Sequence, residues 1–172
     1  AARGAVCVFG VILGTGTGGG IVVNGRLLHG ANGIAGEWGH NALPWPDETE
    51  RQGPACYCGK TGCIEVFLSG PGLSRTYKTL SGRERSAADI AADDGDTLAQ
   101  RALQIYMRQL GKGLASVINV LDPDIIVLGG GLSNMRALYS EMLAHINAFV
   151  FAPEWRGRLV APHFGDASGV RG

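Results

Sequence analysis

The chain has 172 residues with 15 Lys+Arg against 15 Asp+Glu, 4 His and 4 Cys, 45% of it apolar and 17% charged. This is room for one sizeable core or one lobe of a larger protein, and not for several full domains. Zero net charge excludes the electrostatic footprint of nucleic-acid and anionic-membrane binders, abundant aliphatic residues exclude disorder, and no apolar run reaches the roughly 18 residues of a membrane span.

Ala1 to Gly4 carry neither an initiator Met nor a secretory pattern, and the expected compartment is cytoplasmic. Residues 5–13 read as a buried strand, with Cys7 as a small core hydrophobe. A glycine run, Gly14-Thr15-Gly16-Thr17-Gly18-Gly19-Gly20, follows as a loop. Ile21 to Val23, Asn24-Gly25 and Arg26 to Leu28 read as a hairpin, because Asn-Gly is the preferred type I′ turn pair. From 29 to 62 ten Gly or Pro residues break the chain into a loop-rich insert, which has to be functional or held together by something. Short helices are expected at 64–68, 71–78 and 86–92, and a long one at 96–121, capped by Asp96 and buried through Leu103, Tyr106, Leu110, Leu114, Val117 and Leu121. Residues 124–128 read as a strand entering Gly129-Gly130-Gly131, with Ser133 as cap of a helix over 134–150 and a last strand at 158–161. Asp166 or Ser168 would cap a helix that stops at once, so the chain is expected to be a piece of a longer protein. The order predicts an α/β architecture.

The insert carries a metal-ligand pattern. Cys56, Cys58 and Cys63 lie within eight residues, with His40 upstream in the same insert and His29 as its competitor. Thiolate and imidazole are the ligands zinc prefers, and a Cys3His set closes a tetrahedral structural site. A Cys56–Cys58 disulfide would be strained, so reduced thiols are expected. The acids Glu37 and Glu65 flank those ligands. One shared metal would bring them into one neighbourhood, where carboxylates accept hydrogen bonds from sugar hydroxyls, although solvent-facing acids are the alternative.

The glycine run at 14–20 lacks the Gly-Lys-Ser/Thr ending of a Walker loop and opens no helix, which disfavours both Walker and Rossmann binding. What remains is either a tight hairpin or a loop whose bare N–H groups and Thr hydroxyls cradle phosphate. Gly129 to Asn134 form a second junction, where backbone approaches a flat ring or simply makes a tight turn.

Together, Gly14 to Gly20, Gly36-Glu-Trp-Gly-His40, Cys56-Tyr-Cys-Gly-Lys-Thr-Gly-Cys-Ile-Glu65 and Asp122-Pro-Asp-Ile-Ile-Val-Leu-Gly-Gly-Gly131 resemble the ROK family of bacterial sugar kinases and repressors. Residues 31–45 look most like the family's fructokinases. The resemblance covers essentially the whole chain. It implies an actin-like, ribonuclease-H-like fold of two lobes, of which residues 1–172 would be the C-terminal one, with a zinc and sugar insert at about 29–65 and the N-terminal lobe absent from the chain. It implies Zn2+ on His40, Cys56, Cys58 and Cys63, and sugar contacts from Glu37, His40 and Glu65, His40 using one ring nitrogen for the metal and the other for a hydroxyl. It implies ATP with Mg2+ at Gly14, Thr15, Gly16, Thr17, Gly18, Gly19 and Gly20 on the phosphate side and at Gly129, Gly130, Gly131, Ser133 and Asn134 on the adenosine side. The implied partners are ATP and a hexose, in a homodimer. The Asp-x-Gly-Gly-Thr phosphate loop and the Asn-Asp pair that supplies the catalytic base do not occur in this sequence, so the chain by itself is expected to be inactive. The expected reaction of the parent protein is phosphorylation of fructose at O6. The alternatives are an N-acetylhexosamine, glucose or mannose kinase, or a sugar-responsive repressor.

Overall fold

A computed structural model describes residues 1–163, and the helix start expected at Asp166 or Ser168 lies outside them. The apolar run Cys7–Leu13 forms β1, and Thr17–Val23 pairs with it antiparallel as β2. Arg26–Leu27 is β3, joined to β2 through Asn24 and Gly25, whose φ values of 53° and 73° are the two positive values a type I′ turn requires. Ile125–Gly129 forms β4, parallel to β1, and Arg158–Val160 forms β5, parallel to β4. The sheet runs β3-β2-β1-β4-β5, the antiparallel-then-parallel order of the expected ribonuclease-H-like fold.

The helices are α1 at Ile64–Leu68, α2 at Gly70–Ser81, α3 at Ala87–Ala92, α4 at Thr97–Leu121, α5 at Ala137–Ser140 and α6 at Met142–Asn147. Asp96 caps α4 as expected, its carboxylate accepting from the N–H groups of Leu98 and Ala99. At the other end Asp122 turns left-handed ahead of Pro123, which cannot continue a helix. Tyr106, Leu110 and Leu114 of α4 pack with Phe9, Ile126 and Leu128 of the sheet in one buried core.

Three expectations need correction. The helix over 134–150 is instead a 3-10 turn at Gly131–Asn134 followed by the separate short helices α5 and α6. The apolar spacing still marks the inward side, with Leu138, Met142 and Ile146 fully buried, while Phe149, at the same spacing, is half-buried. Ser133 caps nothing: it lies inside the 3-10 turn, and its hydroxyl donates to the Gly130 carbonyl at 2.7 Å. Cys7 is half-buried rather than core, its sulfur facing the Leu121 carbonyl.

Candidate functional site

The insert is ordered by short-range pairing and by one aromatic anchor. Bridges Ala42 to Cys63 and Ala55 to Thr61 fold residues 54–62 back on themselves and lay the chain beside His40 against Cys63. Trp38, 3% exposed, meets Phe9 edge to face at 5.6 Å and donates its indole N–H to the Gly18 carbonyl at 2.8 Å. It thereby fixes the 3-10 turn Trp38–His40 on the sheet. Gly39 is required there, because a Cβ would stand 2.0 Å from the Thr17 carbonyl oxygen.

The result is a ligand set. One ligand atom each from His40, Cys56, Cys58 and Cys63 lies within 4.8 Å of every other, and His29 is not among them. His40 Nδ1 is 3.6 Å from Cys56 Sγ, and Cys58 Sγ is 3.6 Å from Cys63 Sγ. Tetrahedral zinc with Zn–S bonds of about 2.3 Å holds its donors about 3.8 Å apart, so both the spacing and the chemistry of these donors fit zinc. The Lys60 N–H donating to Cys58 sulfur draws that thiol down to about 7, while burial pushes the Cys63 thiol up to about 12.

Cys63 stands at the N-terminus of α1, which puts Glu65 in the first turn of the same helix. Glu65 Oε2 accepts from the Thr17 N–H at 2.9 Å, joining the ligand loop to the glycine hairpin. Glu37 is exposed at the start of the Trp38 turn. Tyr57, 84% exposed, covers His40, its hydroxyl 2.8 Å from His40 Nε2, the ring nitrogen facing away from the sulfurs. The negative field of Glu65 first, and of Glu37 more weakly, raises its phenol pKa. Tyr57 was not singled out from the sequence, although its place between two ligand cysteines was a usable signal.

The glycine run is not one loop. Only residues 14–16 make the turn, and Thr17 to Gly20 are strand β2. Gly19 is small because a Cβ would meet the Phe9 ring at 2.9 Å, so these last glycines serve close packing within the sheet. The turn itself is tied down by the Gly70 N–H, which donates to the Gly14 carbonyl at 2.7 Å. Gly14 and Thr15 open onto a cleft of about 940 Å3, and Gly131 and Asn134 line its other wall. Gly16, Thr17, Gly18, Gly19 and Gly20 do not line it, nor do Gly129, Gly130 and Ser133. Gly130 instead carries the chain over β1: at φ 83° its Cβ would stand 2.4 Å from the Leu13 carbonyl oxygen. Further lining comes from Gly70, Pro71 and Ser74 of α2, Ala88 and Ala91 of α3, Asp94 and Arg136, none of which stood out in the sequence. An alanine face carries no chemical signal, so only the fold reveals this wall.

An open cleft at the ends of a mixed sheet, with a thiol–imidazole cluster joined through Glu65 and Thr17 to the glycine hairpin at its edge, is the arrangement of a lobe of the actin-like ATPase fold. The chain belongs to the ROK family, whose pattern matches residues 1–172. It is 41% identical over 174 residues to the N-acetylgalactosamine kinase AgaK of Shewanella sp. (strain ANA-3), covering 99% of this chain and 56% of that protein. It is 37% identical to the N-acetyl-D-glucosamine kinase of Yersinia enterocolitica, covering 96% of this chain and 56% of that protein. Among solved structures it is similar to a ROK family glucokinase from Streptomyces griseus in complex with glucose and AMPPNP, at TM-score 0.86 and 28% identity over 98% of this chain and 59% of that one. The chain thus spans about 56% of the length of the curated relatives it matches. No helix among the described residues is long and apolar enough to cross a membrane.

Proposed function

We propose that this chain is one lobe of an ATP-dependent hexose kinase, and that its sugar is an N-acetylhexosamine. The observation that carries the reading is the Glu65 to Thr17 hydrogen bond, which sets the Glu37, His40 and Glu65 group directly beside the hairpin whose Gly14 and Thr15 open the large cleft. Phosphoryl transfer needs that adjacency: catalysis is positioning plus stabilisation of charge on the moving group. Gly14, Thr15 and the N-terminal end of α2 face the phosphates, where helix N–H groups favour negative charge. The slot between the α3 alanines, Gly131 and Asn134 takes the adenosine. Glu37, His40 and Glu65 orient the sugar, whose hydroxyl oxygen bonds to the γ-phosphorus as the bond to ADP breaks. The proton passes to a carboxylate outside this chain. His40, Cys56, Cys58 and Cys63 would hold zinc, which supplies rigidity to the loop and takes no part in the transfer.

The choice of sugar follows the two relatives above, whose names state N-acetylgalactosamine and N-acetyl-D-glucosamine, and replaces the fructose expected from residues 31–45. An ADP-release assay of the full-length protein against N-acetylgalactosamine, N-acetylglucosamine, glucose, mannose and fructose tests it. The N-acetylated sugars are expected to show the highest kcat/KM, and residues 1–172 alone no turnover. Sugar binding without turnover in the full-length protein would instead favour the repressor reading.

A further inference from the structure

We propose that Tyr57 is a substrate-site residue whose hydroxyl, in the sugar-free protein, occupies the face of His40 Nε2 that a hexose hydroxyl takes on binding. The proposal rests on the reading of Glu37, His40 and Glu65 as the sugar-holding group. A residue that is 84% exposed normally has no fixed partner, yet the Tyr57 oxygen sits 2.8 Å from Nε2 and the two rings meet at 90° with centroids 5.0 Å apart. The cause is local. Cys56 and Cys58 on either side turn their sulfurs toward His40 Nδ1 and Cys63, which fixes the backbone of Tyr57 and sends its side chain over the imidazole.

With Nδ1 turned to sulfur, Nε2 is the nitrogen left for a ligand, and one imidazole nitrogen holds one hydroxyl in line. A phenol and a sugar alcohol present the same group to it, one O–H donor with two lone pairs. The two therefore compete, and the sugar displaces the phenol. The Tyr57 hydroxyl thus stands on the very nitrogen that the sugar needs. In the free protein that contact holds the imidazole in the orientation the sugar uses. Its cost is a fraction of the sugar's affinity.

Steady-state kinetics of the full-length zinc-loaded protein with N-acetylglucosamine test this in wild type, Tyr57→Phe and Tyr57→Leu. Both substitutions remove the competing hydroxyl, and Tyr57→Phe keeps the ring. The expected result is a sugar KM lowered about threefold in Tyr57→Phe, the scale of one net hydrogen bond, with kcat and zinc content unchanged and KM in Tyr57→Leu at or below wild type. Nitrogen NMR of His40 supplies a readout independent of turnover: its Nε2 resonance moves on Tyr57→Phe without sugar and coincides with wild type once sugar is bound. An unchanged or raised KM in Tyr57→Phe, in a wild type that does phosphorylate the sugar, overturns the role of Tyr57 and leaves the kinase reading standing. A wild type that neither binds nor phosphorylates any hexose overturns the kinase reading itself.

Discussion

Four side chains converge because backbone pairing, not a core of their own, brings them together, and the chemistry of each thiol follows from where that pairing leaves it. Cys58 is exposed and receives an N–H bond, so its thiol titrates at about 7, whereas Cys63 is buried at 1% exposure and stays protonated up to about 12. Zinc binds thiolates, so each protonated ligand must release its proton when the metal enters. Zinc affinity is therefore expected to rise with pH, and Cys58 stops contributing to that rise above about pH 7, while Cys63 releases a proton across the whole working range. Chelator competition at a series of pH values between 6 and 8 measures it: the slope of log affinity against pH is expected to fall by about one proton across that window. A constant slope would mean that no ligand thiol titrates within that window. In the sequence the three cysteines and His40 were legible because soft ligands at short spacing have few other uses, while His29 was separated from His40 only by the pairing of Ala42 with Cys63.

At the scale of elements, the insert is bolted to α4 by a contact that no motif announces. Lys112, with no exposed surface, pairs at 2.5 Å with Glu50 Oε2, which also accepts from the Asp47 N–H, while Gln109 donates to Glu50 Oε1 at 3.0 Å. Trp45 stacks on Phe149 nearby, and the Lys112 ammonium lies 6.0 Å from the centre of the same ring. Removing one partner leaves the other charged and buried, so Lys112→Met is expected to cost about 3–5 kcal/mol, and adding Glu50→Gln to recover part of that by abolishing the uncompensated charge. Denaturant unfolding of the two variants checks it, and a loss under about 1 kcal/mol for Lys112→Met would mean the pair is solvated. The strands, α4 and the hairpin at Asn24-Gly25 were readable because periodicity and turn chemistry are local. The pair was not, because Glu50 and Lys112 are 62 residues apart and each reads as a surface charge. The break between α5 and α6 was hidden for the opposite reason: the apolar spacing from Leu138 to Ile146 fits one helix as well as two, and only the close packing of α6 on α4, Gly111 against His145, distinguishes them.

Across the whole molecule, two systems of order are visibly separate. The sheet and the helices share one apolar core that runs from Phe9 and Leu13 through Leu110 and Leu114 to Ile146, and none of the three ligand cysteines belongs to it. The insert touches that core through Trp38, Leu43 and Ile64, while residues 54–62 are held by their own turns, by the Leu43 N–H donating to the Gly62 carbonyl, by Tyr57 on His40 and by the converging sulfurs of Cys56 and Cys58. Removing zinc is therefore expected to loosen 54–62 and release His40 while the helical frame stays folded, since most of the core's stabilisation comes from burial that the metal does not govern. Chelation of the full-length protein should then abolish hexose binding, followed by calorimetry with N-acetylglucosamine, at chelator concentrations that leave the far-ultraviolet helical signal intact, and re-added zinc should restore it. Glu65 sets the reach of this effect, because its bond to the Thr17 N–H is the link from the ligand loop to the glycine hairpin. Nucleotide affinity should consequently fall only several-fold where sugar affinity is lost. Helices that melt together with the sugar site would show that the metal holds the whole fold, and hexose binding undiminished after complete chelation would remove zinc from the site altogether.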